Sequence, residues 1–427
     1  MLKKEQNDLI TQTGPTTAMG ELFRRYWIPA LLSEELPAND CPPVRVKLLS
    51  ERLVAFRDSE GRYGLIDEFC PHRGASLWFG RNEKCGLRCP YHGWKFDFTG
   101  QCIEVPSEPA ESRFAEKIKL KSYPLIERGG VLWTYMGPAE HTPPSPEWEF
   151  ATVPPENRFV SKRFQECNWL QAMEGGIDSS HVSFLHSGNL ESDPLFKGAK
   201  GNKYNLSDMQ PHFEVVESPG GLYIGARRNA ENGSYYWRIT QWVMPSFTMV
   251  PPRGGHSVHG HFWIPIDDEN CWAWSYDYHP TRQLTDAERK AMQQGKGVHV
   301  ANIPGTYRPI ANRDNDYLID RDAQRRGVTY SGVEGIAMQD ASLQESMGPI
   351  VDRTKENLVS TDNGIIMARH RLLKAAKELE KGMRPPGIEP AHQKVRSASV
   401  ILPPEQPFKD AAREAMLVRP GVAPASV

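Results

Sequence analysis

The stretch from residue 70 to residue 94 constrains the fold of this chain more than any other part. It reads CPHRGASLWFGRNEKCGLRCPYHGW. Cys70 and His72 form a C-x-H pattern, Cys89 and His92 form a C-x-x-H pattern, and sixteen residues separate the two patterns. Two thiolates and two imidazoles on a matched pair of short loops can hold a metal centre. We therefore expect the fold to bring these two loops together.

Two kinds of centre suit this set of ligands. The four residues could bind one structural zinc ion, or the cysteines and the histidines could each bind one iron of a [2Fe-2S] cluster. In both loops Pro follows the Cys directly and Gly stands four residues after it. Pro and Gly let the backbone curl around a cluster and direct N–H groups at sulfur, which zinc does not need. The sequence favours the cluster, and Cys85 is interpreted as a bystander because the four ligands are complete without it.

A second group of possible metal ligands lies in residues 168–186, NWLQAMEGGIDSSHVSFLH. With one more carboxylate, His181 and His186 would form the two-His-one-carboxylate triad that leaves positions open on Fe(II). Asp178 precedes His181 by three residues, so it can accept a hydrogen bond from that imidazole and fix its tautomer. The two histidines are five residues apart, so the backbone must bend or break between them to bring them together. Taken alone, such a pair is more often a pair of ordinary polar residues.

Both stretches resemble the metal-binding segments of one family. With Trp94 closing the second loop, residues 70–94 resemble the Rieske signature of ring-hydroxylating oxygenases, and residues 174–186 are similar to the mononuclear iron segment of their α subunits. The stretches IANRDNDYLIDRDAQR and QDASLQESMGPIVDRTKENLVSTDNGII look like the phthalate-dioxygenase branch, whose members work on carboxylated aromatic rings. The resemblance implies two cofactors, a Rieske [2Fe-2S] cluster and a mononuclear Fe(II).

The resemblance also implies the third iron ligand. The acidic candidates that follow are Asp340, Glu345, Asp352 and Glu356. Asp340 and Glu345 are five residues apart, so on a regular helix at most one would face the iron. In the family the carboxylate comes from an acidic residue that opens a late helix, which points to Asp340. The other three are predicted to be solvated helix charges.

The implied fold class is α+β, with an all-β Rieske domain and a helix-grip catalytic domain, which is an antiparallel sheet with helices. The chain supports this division with short β-rich runs from about residue 25 to 145, followed by Pro-rich sequence. We predict an N-terminal lead-in over residues 1–24 that packs with the catalytic domain, a Rieske domain over 25–145 and a catalytic domain over 146–427. Strands are expected at GLYIGARRN, YYWRITQWVMPSFTMVPP and GHFWIPIDDENCWAWSYDYH. One long helical region is expected from SLQESMG to KELEKG, with a weakly patterned C-terminal segment over the surface.

The resemblance further implies how electrons reach the iron. The family assembles as a head-to-tail homotrimer, or as a stacked pair of trimers, in which the cluster of one subunit feeds the iron of its neighbour. Asp178 would then bridge His181 of its own chain to the partner subunit's His92. The sequence has no G-x-G-x-x-G that opens a βαβ unit and no further set of four clustered cysteines. A separate NAD(P)H-dependent reductase is therefore expected.

Charge and hydropathy exclude other classes of function. The net charge is -2, and there is no long basic run of the kind that binds nucleic acid. No apolar run is long enough to cross a membrane, and the N-terminal sequence lacks a signal-peptide pattern, so a cytoplasmic protein is expected. The seven cysteines are scattered and odd in number, unlike a disulfide framework.

A carboxylated aromatic substrate would require a cation near the iron, and arginine pairs with a planar carboxylate through two hydrogen bonds. The candidates are Arg227, Arg228 and Arg238, and we select Arg228 and Arg238. The predicted activity is hydroxylation of an aromatic carboxylate, such as a phthalate- or benzoate-type acid, by cis-dihydroxylation with O2. Three alternatives stay open: O-demethylation of a methoxylated aromatic acid, electron transfer without catalysis, and a zinc-stabilised binding protein.

Overall fold

Three small antiparallel sheets occupy the chain up to Tyr135 in the computed structural model, which describes residues 2–427. Their strands pair in the orders β1-β11-β10, β2-β3-β4-β9 and β5-β6-β7-β8. The strands are β1 (Trp27–Leu32), β2 (Val44–Leu48), β3 (Glu51–Arg57), β4 (Tyr63–Asp67), β5 (Arg81–Glu83), β6 (Gly86–Arg88), β7 (Lys95–Phe96), β8 (Cys102–Glu104), β9 (Ser122–Tyr123), β10 (Leu125–Arg128) and β11 (Val131–Tyr135).

A small hydrophobic core lies beneath the two predicted cluster loops. It contains Phe56, Ile66, Leu87 and Phe96, none of which is measurably exposed. The first loop follows β4, and the second loop connects β6 to β7. Both loops therefore leave from strands that this core fixes in place.

One eight-stranded antiparallel sheet forms the second half of the molecule, among the residues that the structure describes. Seven strands follow the order β12-β18-β17-β16-β15-β14-β13, and β19 pairs with one end of β15. The strands are β12 (Arg158–Gln165), β13 (His212–Glu217), β14 (Gly221–Asn229), β15 (Tyr235–Val243), β16 (Phe247–Met249), β17 (Val258–Pro265), β18 (Cys271–Tyr278) and β19 (Ala398–Leu402). β-branched and aromatic residues make up about half of these strands, which is consistent with the predicted sheet.

Helices cover this sheet. α4 packs against β17 and α8, and α9 packs against β13, β14 and the N-terminal helices. The helices are α1 (Lys4–Thr11), α2 (Ala18–Phe23), α3 (Glu149–Thr152), α4 (Trp169–Ile177), α5 (Lys200–Ser207), α6 (Asp286–Gln293), α7 (Arg321–Arg325), α8 (Ile336–Ser346), α9 (Asn363–Leu379), α10 (Pro390–Gln393) and α11 (Phe408–Ala415). An antiparallel sheet with helices beside an all-β part confirms the predicted α+β fold class.

Two expectations about local structure are wrong. The predicted long helical region is two helices, α8 and α9, separated by a non-helical segment that follows Gly348, whose φ is +90°. A left-handed φ favours glycine and interrupts a right-handed helix. The C-terminal segment does more than cover the surface, because Ala398–Leu402 adds strand β19 to the sheet. Its run of only five residues is a weak signal, and pairing with β15 compensates for it.

Within residues 2–427, no helix is both long enough and apolar enough to cross a membrane.

Candidate metal centres and active-site cavity

The two loops that carry the predicted cluster ligands share one backbone conformation. The carbonyl oxygens of Cys70 and Cys89 each accept a 2.9 Å hydrogen bond from the N–H of the glycine four residues later. These glycines, Gly74 and Gly93, have φ values of +72° and +78°. That left-handed conformation is costly for residues with a Cβ, so the Cys-Pro…Gly pattern specifies the turn locally.

The two cysteine ligands and the two histidine ligands differ in burial. Cys70 and Cys89 are buried and their thiols contact each other, whereas His72 is exposed and His92 is half-buried. The two imidazole rings lie 4.4 Å apart between centroids, and Trp94 stacks on His72 at 4.7 Å. Burial raises the pKa of the Cys70 thiol to about 11, and the adjacent Cys89 thiol also raises it. Metal binding must offset this cost to form the thiolate.

This arrangement fits a two-iron cluster better than one zinc ion. A single ion needs all its donor atoms around one point. Among the described residues, only one group has three candidate donor atoms within 4.8 Å of one another. That group is His181, His186 and Asp340, which lie elsewhere in the chain. Buried thiols at one end and outer imidazoles at the other suit a centre that binds sulfur on one iron and nitrogen on the second.

The second predicted centre joins two segments that are far apart in sequence. His181 Nε2 lies 3.1 Å from His186 Nε2, and Asp340 Oδ1 lies 3.5 Å and 3.2 Å from these two atoms. Ligands at right angles on bonds of about 2.1 Å would be about 3 Å apart, so this triangle fits one metal ion. The donor set of two imidazoles and one carboxylate suits Fe(II) with positions left open.

The backbone break predicted between the two histidines is present. Helix α4 ends at Ile177, and a short 3-10 turn follows from His181 to Ser183. Asp178 lies just beyond the helix, where its N–H completes the last turn. Asp340 comes from α8, which packs directly against α4. The contact between these helices therefore positions the third ligand.

Each histidine also contacts an orienting group through its other ring nitrogen. His181 Nδ1 lies 3.2 Å from Asp178 Oδ2, and His186 Nδ1 lies 2.8 Å from Gln339 Oε1. The Gln339 amide in turn donates to Asn189 Oδ1 at 2.7 Å. Such partners fix the tautomer that leaves each Nε2 free for the metal. The sequence analysis missed Gln339, although it directly precedes Asp340.

Charge complementarity accounts for the pKa shifts in this centre. Burial raises the pKa of the Asp340 carboxyl, but His186 and His181 outweigh burial and bring it to about 2. Burial lowers the pKa of His181, but the hydrogen bond and the charge of Asp178 outweigh that effect and raise it. Asp340 is therefore a carboxylate at neutral pH, as a metal ligand must be.

The other acidic candidates lie away from the triad, but two of them are not solvated. Glu345 is buried and accepts hydrogen bonds from Glu166 N and from Tyr317 Oη. Glu356 pairs with the buried guanidinium of Arg369 through both oxygens. The expectation of solvated helix charges is therefore wrong for Glu345 and Glu356, because tertiary contacts supply them with partners. Asp352 is largely exposed, as expected.

A small cavity of about 60 Å³ lies beside the triad. The guanidiniums of Arg163, Arg238 and Arg253 reach it, and all three residues are at most 5% exposed. Arg238 Nε and Nη1 and Arg253 Nε have no hydrogen-bond partner in the described part of the chain. Burial lowers the pKa of Arg253 to about 9, and the neighbouring Arg238 adds to the effect. Buried cations with free donors are costly, and an anion in the cavity would relieve that cost.

The two arginines selected from the sequence lie in different environments. Arg238 lines the cavity. Arg228 does not, because its guanidinium donates to the carbonyl oxygens of Asp208 and Ser179 and to Ser183 Oγ. Arg228 therefore holds the turn that carries His181. The sequence analysis missed Arg253, which lies outside the predicted strands and has no local signal.

Two family models match the chain. The Rieske [2Fe-2S] domain matches residues 26–124, and the model described as LigXa C-terminal domain like matches residues 134–417. The chain is 38% identical over 404 residues to a 3-chlorobenzoate-3,4-dioxygenase oxygenase subunit from Comamonas testosteroni, covering 92% of this chain and 93% of the relative. It is 37% identical to a phthalate 4,5-dioxygenase oxygenase subunit from Pseudomonas putida, with 90% and 88% covered.

Enzymes with other reactions are also similar. A 5,5'-dehydrodivanillate O-demethylase oxygenase subunit from a Sphingobium strain is 33% identical, with 97% of this chain and 89% of the relative covered. The crystal structure of dicamba monooxygenase bound to dicamba superimposes with a TM-score of 0.58 at 19% identity, covering 84% of this chain and 99% of that one. That structural similarity concerns the fold alone.

Proposed function

The chain belongs to the Rieske non-heme iron oxygenases, as the oxygenase component of an aromatic-ring system, and from this premise we propose that it hydroxylates an aromatic carboxylate by cis-dihydroxylation. Its cofactors are a Rieske [2Fe-2S] cluster and a mononuclear iron. The observation that carries the proposal is the cavity in which unpaired guanidiniums lie beside the triangle of His181, His186 and Asp340. An arene with a carboxylate matches both features.

In this proposal each metal-binding residue has a defined part. Cys70, His72, Cys89 and His92 hold the cluster, and His181, His186 and Asp340 hold the iron. The iron supplies open positions at which O2 is activated next to the substrate. Asp178 and Gln339 keep the two imidazoles in the tautomer that presents Nε2 to the metal.

The substrate carboxylate would bind Arg238 and Arg253. The free donors of Arg238 lie on β15, a strand in the middle of the sheet, so substrate binding requires little reorganisation of the backbone. A planar guanidinium can bind both carboxylate oxygens and so fix which edge of the ring faces the iron. Arg228 is a weaker candidate because most of its donors are already occupied.

The electrons would come from a separate NAD(P)H-dependent reductase and pass between subunits of a homotrimer. Two exposed apolar surfaces support this assembly. One lies near the cluster and includes Phe79 and Tyr91, which are 64% and 56% exposed. The other is an open cleft beside His181, lined by Phe184 and Tyr330 among others. Exposed apolar surfaces of this kind mark interaction sites, and joining unlike surfaces closes a ring.

The partial exposure of the Asp178 side chain supports such a contact. It is 24% exposed while its Oδ2 atom contacts His181. In the proposed trimer it would connect His181 to the partner subunit's His92. We also propose the domain division of residues 1–24, 25–145 and 146–427, with α1 and α2 packing on α9 of the catalytic part.

One alternative has a specific observation in its favour. A relative with 33% identity is a 5,5'-dehydrodivanillate O-demethylase oxygenase subunit, so O-demethylation is a reaction of a related chain. O-Demethylation would use the same arginines and the same iron. The two reactions differ in where the ring lies above the metal, which the geometry of the pocket would decide.

The test is product analysis of the purified protein with a generic reductase and a panel of aromatic acids under ¹⁸O2. We expect a cis-dihydrodiol that carries two labelled oxygens. A phenol together with formaldehyde would favour the O-demethylase alternative. Arg253→Met and Arg238→Met should raise the substrate KM about tenfold or more, since each removes a charge-assisted hydrogen bond. Arg227→Met is the control, because Arg227 packs over Tyr235 and does not line the cavity. An unchanged KM in both cavity variants would contradict the carboxylate assignment.

A further inference from the structure

Strand β19 brings a buried serine to the face of the sheet that carries Arg238. Ser399 lies directly opposite Arg238 in the pairing of β19 with β15. Residues directly opposite in an antiparallel pair share a face, and neighbours along a strand point to opposite faces. Ala398, which pairs with Ile239, accordingly belongs to the hydrophobic core on the other face. Ser399 and Ser397, which directly precedes the strand, are both 0% exposed.

The two serine hydroxyls hold the loop that carries Arg253. This loop joins β16 to β17. Ser397 Oγ donates to the carbonyl oxygen of Val250 at 2.7 Å, and Ser399 Oγ donates to the carbonyl oxygen of Pro252 at 2.9 Å. The two residues before Arg253 are prolines, which have no N–H, so only carbonyl oxygens can anchor this part of the loop. The two hydroxyls supply the donors that these carbonyls need.

Residues 425–427 extend the anchor to the other side of the loop. Ser399 N donates to the carbonyl oxygen of Ala425, and Val427 N donates to Ser399 Oγ, both at 2.9 Å. The carbonyl oxygen of Val427 accepts from Gly254 N at 3.2 Å and from Gly201 N at 3.3 Å. Gly201 belongs to α5. A single carbonyl therefore joins the loop to this helix.

The next residue of α5, Asn202, binds the Arg253 guanidinium. Asn202 Oδ1 accepts from Arg253 Nη1 at 2.8 Å. Asn202 Nδ2 donates to the carbonyl oxygens of Leu190 and Phe196, which fixes the orientation of the amide. Arg253 is thus held through its guanidinium as well as through the backbone on both sides of it. Its Nε has no hydrogen-bond partner among the described residues and stays available to a ligand.

This anchoring opposes a repulsion between two cations. Arg238 and Arg253 both line the cavity. Burial lowers the pKa of Arg253 to about 9, and the positive charge of Arg238 lowers it further. Like charges that face one buried space repel each other, so a loop without anchors would relax by moving Arg253 away. The anchored loop keeps both guanidiniums in place before a ligand arrives, which reduces the cost of binding.

We propose that Ser399 is a positioning residue for the active site. Together with residues 425–427 it keeps Arg253 turned into the cavity with Arg238, and so makes the cavity selective for a carboxylate over a neutral arene. The inference rests on the proposed function, in which both arginines bind the substrate carboxylate. It gives β19 a part in substrate recognition, although Ser399 does not itself line the cavity.

The first test measures equilibrium binding to the holoenzyme by isothermal titration calorimetry. Benzoate is the probe, and benzamide is its neutral counterpart of the same shape. In Ser399→Ala the Kd of benzoate should rise about fivefold to tenfold, the scale of one or two lost hydrogen bonds, while that of benzamide should change less than about twofold. Deletion of residues 425–427 should act in the same direction. Ser234→Ala is the matched control, because Ser234 also donates to a backbone carbonyl but lies outside the cavity.

A double-mutant cycle separates positioning from general stabilisation of the sheet. If Ser399 acts through Arg253, Ser399→Ala should weaken benzoate binding in the original protein and have no further effect in Arg253→Met. A serine that only stabilises the sheet would weaken binding equally in both backgrounds. That equal loss, or an unchanged benzoate affinity in Ser399→Ala, would overturn the proposal.

A third measurement needs no ligand. The backbone amide of Gly254 should exchange with D2O at least about tenfold faster in Ser399→Ala than in the original protein, because the loop opens more often, whereas amides of β17 should not change. Equal exchange at Gly254 would also overturn the proposal. If the original protein binds no aromatic acid but the Gly254 exchange still rises in Ser399→Ala, the proposed function fails and the anchoring of Arg253 by Ser399 stands.

Discussion

The cluster loops and the iron triad are two metal sites built in opposite ways. The four proposed cluster ligands lie within 23 consecutive residues, on two turns whose shape is set by their own Pro and Gly residues. The proposed iron ligands come from a broken helix end and from α8, more than 150 residues later in the chain. Local turn chemistry positions the first set, whereas packing between α4 and α8 positions the second. The cluster site should therefore tolerate damage to the catalytic core, and the iron site should not.

Removing one ligand from each site tests this contrast with the largest expected effect. Asp340→Ala should abolish mononuclear iron and reduce product formation at least a hundredfold, while the visible spectrum and acid-labile sulfide of the cluster persist. Cys89→Ser should give the reverse, with the cluster lost and the iron retained. Metal analysis and visible spectroscopy on the same samples measure the iron and the cluster in each variant. Asp352→Ala is the control, because Asp352 is largely exposed and bonds only to neighbours in sequence. A fully active Asp340→Ala would remove this residue from the triad.

One buried carboxylate in each part of the molecule allows the same comparison for the free energy of unfolding. Glu174 of α4 accepts hydrogen bonds from Arg353 and Arg369, which are 0% and 3% exposed in their side chains. Glu68 of the cluster domain binds Arg45 and Arg52, which are about half exposed. Glu174→Gln should lower the free energy of unfolding by about 3–5 kcal/mol, because it leaves the buried Arg353 without a charged partner, although Arg369 keeps its pair with Glu356. Glu68→Gln should cost only about 1 kcal/mol, because its arginines can turn to water.

The Glu174 effect has a defined dependence on pH. Burial raises the pKa of this carboxyl, but Arg353 and Arg369 outweigh burial and hold it below the usual value. Its stabilisation is therefore complete above the unfolded pKa of about 4.3 and is lost as the pH falls through the lower folded value. Chemical denaturation between pH 7 and pH 3 should show this loss in the original protein and less of it in Glu174→Gln. Parallel curves for the two proteins would contradict this account.

The smallest expected effect concerns the orientation of one iron ligand. Gln339→Leu removes the acceptor for His186 Nδ1 and should weaken iron binding about tenfold to a hundredfold without changing the cluster. Gln339→Glu keeps an acceptor at that place and should recover part of the affinity. Competition with a chelator measures both variants. Equal iron affinity in Gln339→Leu and the original protein would mean that packing alone orients His186.

Much of the fold was predictable because its patterns are local. The strand at GLYIGARRN matches β14 residue for residue. The break between α8 and α9 begins at Gly348 and Pro349, a dipeptide typical of turns, which the prediction of one helical region overlooked. Strand β19 was missed because only its partner β15 makes it a strand.

The sequence predicted some features of the candidate site but not others. The sequence indicated the donor types, and it selected Asp340 only through resemblance to a family. Helical spacing did not separate Asp340 from the other acidic residues, because which of them faces the histidines depends on how α8 packs on α4. The same holds for the arginines. Arg228 and Arg238 are both buried on neighbouring strands, yet only Arg238 reaches the cavity.

The sequence by itself determined the chemistry of residues 70–94, because short-range sterics and hydrogen bonds within each loop fix how the cysteines and histidines are presented. Only the tertiary structure decided which distant carboxylate completes the second triad and which guanidiniums remain unpaired beside it. Those outcomes depend on helix packing and strand register. The free energies of packing and register are spread over many contacts, so no single residue in the sequence predicts them.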